Sequence, residues 1–247
     1  MKIAICFNGH LRTALAAAPN LIRYFGELSP CIDVFIHTWD LSVDAVYETN
    51  LDIEDHNRPP IEVTSRELQE LSKVYNVKGF EIDNNELIIE RFNSPATPRF
   101  YSFYNSVRLM TDYEIATGTK YDVCIKLRPD IIFPKKRHLA EEVIRFVLDK
   151  KSFYSDNCTL KYCKPIMIDD IFWLSSPDIM RRLSLYFFDN MLLNMHFFDY
   201  IKLSNIQVKD MVGGLYTIYR TEALMLDPLT EFDACHEIDR KLFRILH

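Results

Sequence analysis

Apolar stretches of strand length alternate along this chain with stretches of helical period, and that alternation constrains the fold more than any other feature. The segments "KIAICFN", "CIDVFIHTWD", "VKGFEID" and "YDVCIKLRPDIIF" each read as a strand. Between them, apolar residues recur at helical steps. Strands separated by helices line up in parallel, with the helices covering the sheet faces. The expected class is therefore α/β, with a mainly parallel central sheet flanked by helices and a helical C-terminal part.

The helical stretches can be placed by their stripes and caps. After the first strand, Leu15, Ala18, Leu21 or Ile22, Phe25 and Leu28 share one face. Pro19 is expected to kink or restart that helix, and Ser29-Pro30 to end it. Thr64-Ser65-Arg66-Glu67 has the form of a capping box for a helix carrying Leu68, Leu71 and Tyr75. Phe103, Val107, Met110 and Tyr113 mark a helix from Tyr101 to Thr117, with Gly118 as its stop. A further helix is expected over 139–149. "IMIDDIFWLSS" reads as a strand or strand-to-loop segment, and Ser176-Pro177 as the start of another helix. Residues 41–63 and 91–100, polar and proline-bearing, read as loops.

The chain's 247 residues suit one large α/β domain or a domain with an appended lobe. A net charge of −6 gives no global attraction to nucleic acid. None of the six cysteines forms a C-x-x-C pair, which suggests buried thiols in a reducing compartment. The first residues read as a strand and not as a signal peptide, and no apolar run reaches the ~18 residues of a membrane span, so a cytoplasmic protein is expected. "SLYFFDNMLLNMHFFDYIKL" reads as helical core, or as a surface for a lipid-linked acceptor or a peripheral membrane contact.

In sheets of this kind, ligands bind beyond the carboxyl ends of the strands. Three strand ends here carry polar residues. At the first, Asn8, Gly9, His10 and Arg12 join strand to helix: the glycine allows close backbone approach, and the arginine suits a phosphate or carboxylate. The sequence is neither G-x-G-x-x-G nor a P-loop. At the second, His37 and Trp39 are either a stacking pair for a base or sugar, or a satisfied histidine beside a core tryptophan. At the third, "IKLRPD" sets Lys126 and Arg128 on one face, with Asp130 following by parity. Asp130 is either a ligand for a hard divalent cation or the partner of Arg128 in a turn-closing ion pair. Farther on, Asp169 and Asp170 are either turn acids or a general base, with Asp170 preferred. His236 is a candidate late metal ligand.

The order of these pieces resembles glycosyltransferases of the GT-A type, and more narrowly the WavE-like proteins of polysaccharide and lipopolysaccharide synthesis. The resemblance rests on "KIAICFNGHLRT", "DVFIHTWD", "YSFYNSVRLM", "YDVCIKLRPDIIF" and "IDDIFWLSS", over roughly residues 1–40 and 101–180. It implies a single GT-A-like domain over 1–247, with a nucleotide-sugar-binding half over 1–135 and an acceptor-side half over 136–247. It also implies a nucleotide-sugar donor, a glycan or lipid-linked acceptor, and Mn²⁺ or Mg²⁺ held at Asp130. Asp130 would stand at the last acid of an Asp-x-Asp motif whose first acid is here Arg128, so Arg128 or Lys126 is expected to share in neutralising the diphosphate. Asn8, Gly9 and Arg12 would line the nucleotide side, Tyr104 and Asn105 would point at the donor, and Asp170 or Asp169 would serve as the base of an inverting transfer. Two other functions fit the same residues: a nucleotidyl or phosphoryl transferase, and a catalytically inactive sugar- or nucleotide-binding module.

Overall fold

Four strands of the main sheet are buried along their whole length among the described residues: β1 (Ile3–Asn8), β2 (Ile32–Trp39), β6 (Val123–Leu127) and β11 (Phe172–Ser175). Strands buried on both faces belong inside a sheet covered by helices on either side. The computed structural model describes residues 1–42, 61–92, 97–133, 139–140, 143, 152–155, 159–161, 164–167, 172–193, 197–210 and 217–218. Its main sheet adds β5 (Val77–Asp83), β8 (Ser152–Ser155) and β12 (Gln207–Asp210), and runs in the order β12-β8-β11-β6-β1-β2-β5. β1 pairs in parallel with β2 and β6, β2 with β5, and β8 with β12. β11 alone is antiparallel to its neighbours β6 and β8. This is the α/β class expected from the sequence, mainly parallel with one reversed strand.

Alternation along the strands splits the interior into two cores. Ile3, Ile5 and Phe7 of β1 face helices α1 (Ala14–Phe25) and α2 (Ser65–Val74), through Leu21, Tyr24, Leu68 and Leu71. Ala4 and Cys6 face the other way, toward Phe103, Val107 and Met110. Those three residues lie on α4 (Thr97–Thr117), which packs across β1, β2 and β5. Each large apolar side chain buried in this way contributes about 1.5–3 kcal/mol. Cys6 and Cys124 are buried free thiols with their sulfurs 3.7 Å apart, and Cys31 is free and half-buried.

Several local expectations change. α1 continues unbroken through Pro19, because Pro19 lies on the exposed side, where water can satisfy the carbonyl that loses its partner. Its buried stripe is Ala14, Ala17, Ala18, Leu21, Tyr24 and Phe25, while Leu15 and Ile22 are exposed. The small alanines bring the helix close to the sheet, and Asn20 and Tyr24 reach Phe133 beyond β6. The capping box holds: Thr64 Oγ1 accepts the Glu67 amide at 3.3 Å. Part of 91–100 is helical, because α3 (Asn85–Phe92) is capped by Asn84 Oδ1 on the Leu87 amide at 2.9 Å. Pro98 falls in the first turn of α4, where no N–H is needed.

Within 41–63, β3 (Leu41–Ser42) and β4 (Ile61–Glu62) form a small antiparallel pair, as do β9 (Thr159–Lys161) and β10 (Lys164–Met167). Of the helix expected over 139–149, the described residues 139, 140 and 143 are helical. The Phe-rich segment forms α6 (Tyr186–Leu193) and α7 (Phe197–Leu203), after α5 (Pro177–Ser184) with Ser176 as its N-cap. Tyr186, Phe187, Tyr200 and Ile201 of the Phe-rich segment are buried, while Leu185, Phe188 and Leu203 are exposed. Among the described residues, no helix is long and apolar enough to cross a membrane.

Candidate functional site

β1, β2, β5 and β6 all run in the same direction, so their carboxyl ends meet along one edge of the sheet. α4 returns from that edge toward β6 and brings its N-terminal half there. The expected residues Asn8, Gly9, His10, Arg12, His37, Trp39, Arg128 and Asp130 lie along this edge.

The first turn depends on Gly9. Its φ of +98° lies in the region where a side chain is strained, and a Cβ built on it meets nothing within 4 Å. The Gly9 amide donates to Ser102 Oγ of α4 at 2.8 Å, which ties the turn to the helix. Asn8, 4% exposed, holds a buried Oδ1 with no hydrogen-bond partner among the described residues. Arg12 adopts φ +42°, an uncommon conformation for a non-glycine residue. His10 Nδ1–H donates to the Leu41 carbonyl at 3.0 Å. Burial first, and then the neighbouring Arg12 cation, lower its pKa from 6.5 to about 4, so the imidazole is neutral at neutral pH.

The second turn follows β6. The strand ends at Leu127, one residue before the alternation expected to carry Asp130 onto the Lys126 face. Pro129 and Asp130 form a turn, and the chain resumes as β7 (Ile131–Ile132), paired with β13 (Thr217–Ile218). The turn folds Arg128 back onto Asp130. Arg128 Nε donates to Oδ1 at 3.0 Å and Nη2 to Oδ2 at 2.6 Å. Arg12 Nη1 donates to the same Oδ2 at 3.3 Å. The Asp130 side chain is 0% exposed, Arg12 8% and Arg128 20%. Two guanidinium groups therefore share one buried carboxylate.

Lys126 takes no part in this cluster. It is 3% exposed, and its ammonium lies over the Trp173 ring at 4.4 Å and the Phe103 ring at 5.7 Å. Tyr104 packs against Phe187 and Phe188 of α6, and Asn105 Oδ1 accepts from Arg108 Nε at 3.1 Å. His37 and Trp39 match the satisfied-histidine alternative. His37 lies 2.8 Å from Ser102 Oγ through Nδ1 and 3.2 Å from Asp83 Oδ2 through Nε2. Trp39 is buried, stacked on Tyr101 with ring centroids 5.9 Å apart.

Asp83, Tyr101 and Ser102 belong to this edge and were missed in the sequence. Tyr101 Oη donates to Asp83 Oδ2 at 2.7 Å. The His37 hydrogen bond, more than any other contact, holds the Asp83 carboxyl below its usual range. Asp83 ends β5 as Asn8 ends β1, so the same strand-end rule would have found it.

Asp169, Asp170 and His236 lie outside the described residues. Among the described residues, no three His, Cys, Asp or Glu side chains come together as a metal site, and both oxygens of Asp130 are held by guanidinium groups. The described residues alone do not make up a divalent-cation site.

No family model matches the chain, and no curated protein matches it. Solved structures do. A 4-diphosphocytidyl-2C-methyl-D-erythritol synthase from Anaerococcus prevotii shares 10% identity at a TM-score of 0.47, over 94% of this chain and 96% of that one. The glycosyltransferase GlyE of Streptococcus pneumoniae shares 8% identity at 0.43, over 84% and 44%. A glycosyltransferase involved in the glycosylation of the major capsid of PBCV-1 shares 7% identity at 0.40, over 85% and 81%. At these scores the similarities carry no argument about chemistry.

Proposed function

We propose that this chain is a glycosyltransferase that moves a sugar from a nucleotide-sugar donor to a glycan or lipid-linked glycan acceptor. What supports it is the pairing of two turns at the carboxyl ends of the adjacent strands β1 and β6, each delivering an arginine to one buried carboxylate. A departing nucleoside diphosphate gathers negative charge, and guanidinium groups recognise phosphate oxygens in a fixed geometry. Gly9 leaves room for backbone approach, and the unpartnered Oδ1 of Asn8 offers an acceptor to a donor hydroxyl or N–H group.

In this scheme an acceptor hydroxyl attacks the anomeric carbon as the bond to the diphosphate breaks, and that bond's electron pair leaves with the diphosphate. Asp170, or Asp169, takes the hydroxyl proton, and the configuration inverts. Asp170 precedes Phe172 by two residues in the chain, and Phe172 pairs with Leu127, next to Arg128. A cytoplasmic location and a peripheral membrane contact belong to the same proposal. No step is assigned to a cation.

The test is nucleoside diphosphate release from a panel of nucleotide sugars, with and without glycan acceptors. One base family should give slow release that Arg128→Gln abolishes. Binding without any turnover would instead make the chain a binding module. Release of pyrophosphate from a nucleoside triphosphate and a sugar phosphate would make it a nucleotidyltransferase.

A further inference from the structure

Gly9 follows β1, His37 lies on β2, Asp83 ends β5 and Ser102 lies on α4, yet hydrogen bonds join them into one chain. The Gly9 amide donates to Ser102 Oγ at 2.8 Å. Ser102 Oγ lies 2.8 Å from His37 Nδ1. His37 Nε2 lies 3.2 Å from Asp83 Oδ2, which also accepts from Tyr101 Oη at 2.7 Å. We infer that Asp83, His37 and Ser102 are positioning residues that act as a relay: the Asp83 carboxylate fixes the tautomer of His37, His37 fixes the Ser102 hydroxyl, and Ser102 holds the Gly9 turn. The relay stands by itself; that the turn it holds meets a donor rests on the donor reading above.

The directions follow from the chemistry of each group. The His37 bond, first among its contacts, keeps the Asp83 carboxyl below its usual range, so Asp83 is an ionised group that only accepts. Nε2 of His37 must therefore carry a proton. In a neutral imidazole this leaves Nδ1 as an acceptor. Ser102 has one hydroxyl proton and two acceptors in reach, His37 Nδ1 at 2.8 Å and the His37 carbonyl at 3.2 Å. The Nε2–H tautomer draws that proton to Nδ1 and leaves a lone pair of Oγ for the Gly9 amide. The opposite tautomer would turn Nδ1–H onto Oγ, which would then face two donors at once. His37 and Ser102 are both 0% exposed, so a broken link leaves a buried polar group unpaired. Bonds that all run toward one carboxylate polarise and strengthen one another. The Asp83 side chain is 28% exposed, so the far end of the chain reaches the surface. A contact made at the end of β5 is in this way felt at the turn after β1, where Gly9 holds a φ of +98°.

Magnetic resonance of the whole chain tests this. Labelling with ¹⁵N-glycine marks six residues, and Gly9→Ala assigns the Gly9 signal. Ser102→Ala and Asp83→Ala should each speed hydrogen exchange of the Gly9 amide about tenfold, the size of one lost hydrogen bond. Labelling with ¹⁵N-histidine should show His37 in the Nε2–H form in the wild type and in mixed form in Asp83→Ala. Calorimetric titration with UDP, GDP, CDP, dTDP and ADP should find the best ligand bound about three- to tenfold more weakly by both variants. Val107→Ala opens a cavity under the same helix and serves as the control: it should lower the melting temperature and leave the Gly9 exchange, the tautomer and the affinity unchanged. If Asp83→Ala moves neither the Gly9 exchange nor the His37 tautomer, or if Val107→Ala moves them equally, the relay is overturned and the donor reading stands. If the exchange and tautomer change as expected but the wild type binds no nucleotide, the donor reading falls, and with it the relay's role in positioning a donor. Should Asp83→Ala not fold, Asp83→Asn replaces it, because an amide offers Nε2 either a donor or an acceptor and no longer fixes the tautomer.

Discussion

Asn20 closes a two-bond clasp on the backbone of Phe133: its Nδ2 donates to the carbonyl at 3.0 Å, and its Oδ1 accepts the amide at 2.8 Å. Phe133 lies three residues beyond Asp130, and Arg12 lies just ahead of α1, the helix that carries Asn20. One helix therefore fixes both sides of the arginine pair, Arg12 through its own entry and Asp130 through the clasp.

Asn20→Ala leaves a buried amide and a buried carbonyl without this partner. Arg23 still donates to that carbonyl, so the expected loss is about 1–3 kcal/mol, that of one buried group losing its hydrogen bond. Urea unfolding with an unchanged slope measures it. A loss below about 0.5 kcal/mol, the size of an ordinary surface substitution, would mean that the clasp is not a structural brace.

Gly9→Ala separates conformational from contact effects. Its Cβ meets nothing within 4 Å, so the cost comes from the +98° φ, about 1–2 kcal/mol by analogy with other left-handed positions. The added methyl also enters the space where a donor would approach. Thermal unfolding and nucleotide titration of the same variant should therefore both weaken. Unchanged binding would place the donor elsewhere.

His10 gives the site a pH signature. Its pKa is about 4 when folded, against 6.5 in its ordinary state. The unfolded chain thus binds the proton more readily, and stability falls as pH drops from about 6.5 toward 4, then levels off. Among the described residues, the charged groups beside His10 include Arg12, Arg128 and Asp130. The two-and-a-half-unit gap caps the effect at about 3 kcal/mol. Subtracting the pH-stability curve of His10→Gln from that of the wild type isolates this contribution. A flat difference over that window would contradict it.

Most of the fold was legible because burial imposes a period on the sequence. The buried strands β1, β2 and β6 read directly from their apolar runs, and α4 from Phe103, Val107 and Met110. The arginine cluster was legible in part. Arg12, Arg128 and Asp130 stood out as strand-end polar residues, and the turn-closing Arg128–Asp130 ion pair was one of two readings, but the bond from Arg12 to Asp130 was not foreseen. Pro129 stops the ladder, and the turn after Leu127 redirects the side chains that follow. Lys126 was grouped with Arg128 on the same grounds. Its packing against Trp173 depends on β11 pairing with β6, a contact between residues distant in the chain that no local pattern encodes. The Ser102 bond to the Gly9 amide spans 93 residues and is hidden from sequence for the same reason.

The most direct test is a crystal structure of the chain with the nucleoside diphosphate that binds it best. The account predicts diphosphate oxygens about 3 Å from the guanidinium nitrogens of Arg12 and Arg128, in front of a buried Asp130. A diphosphate bound away from the β1 and β6 turns would contradict it.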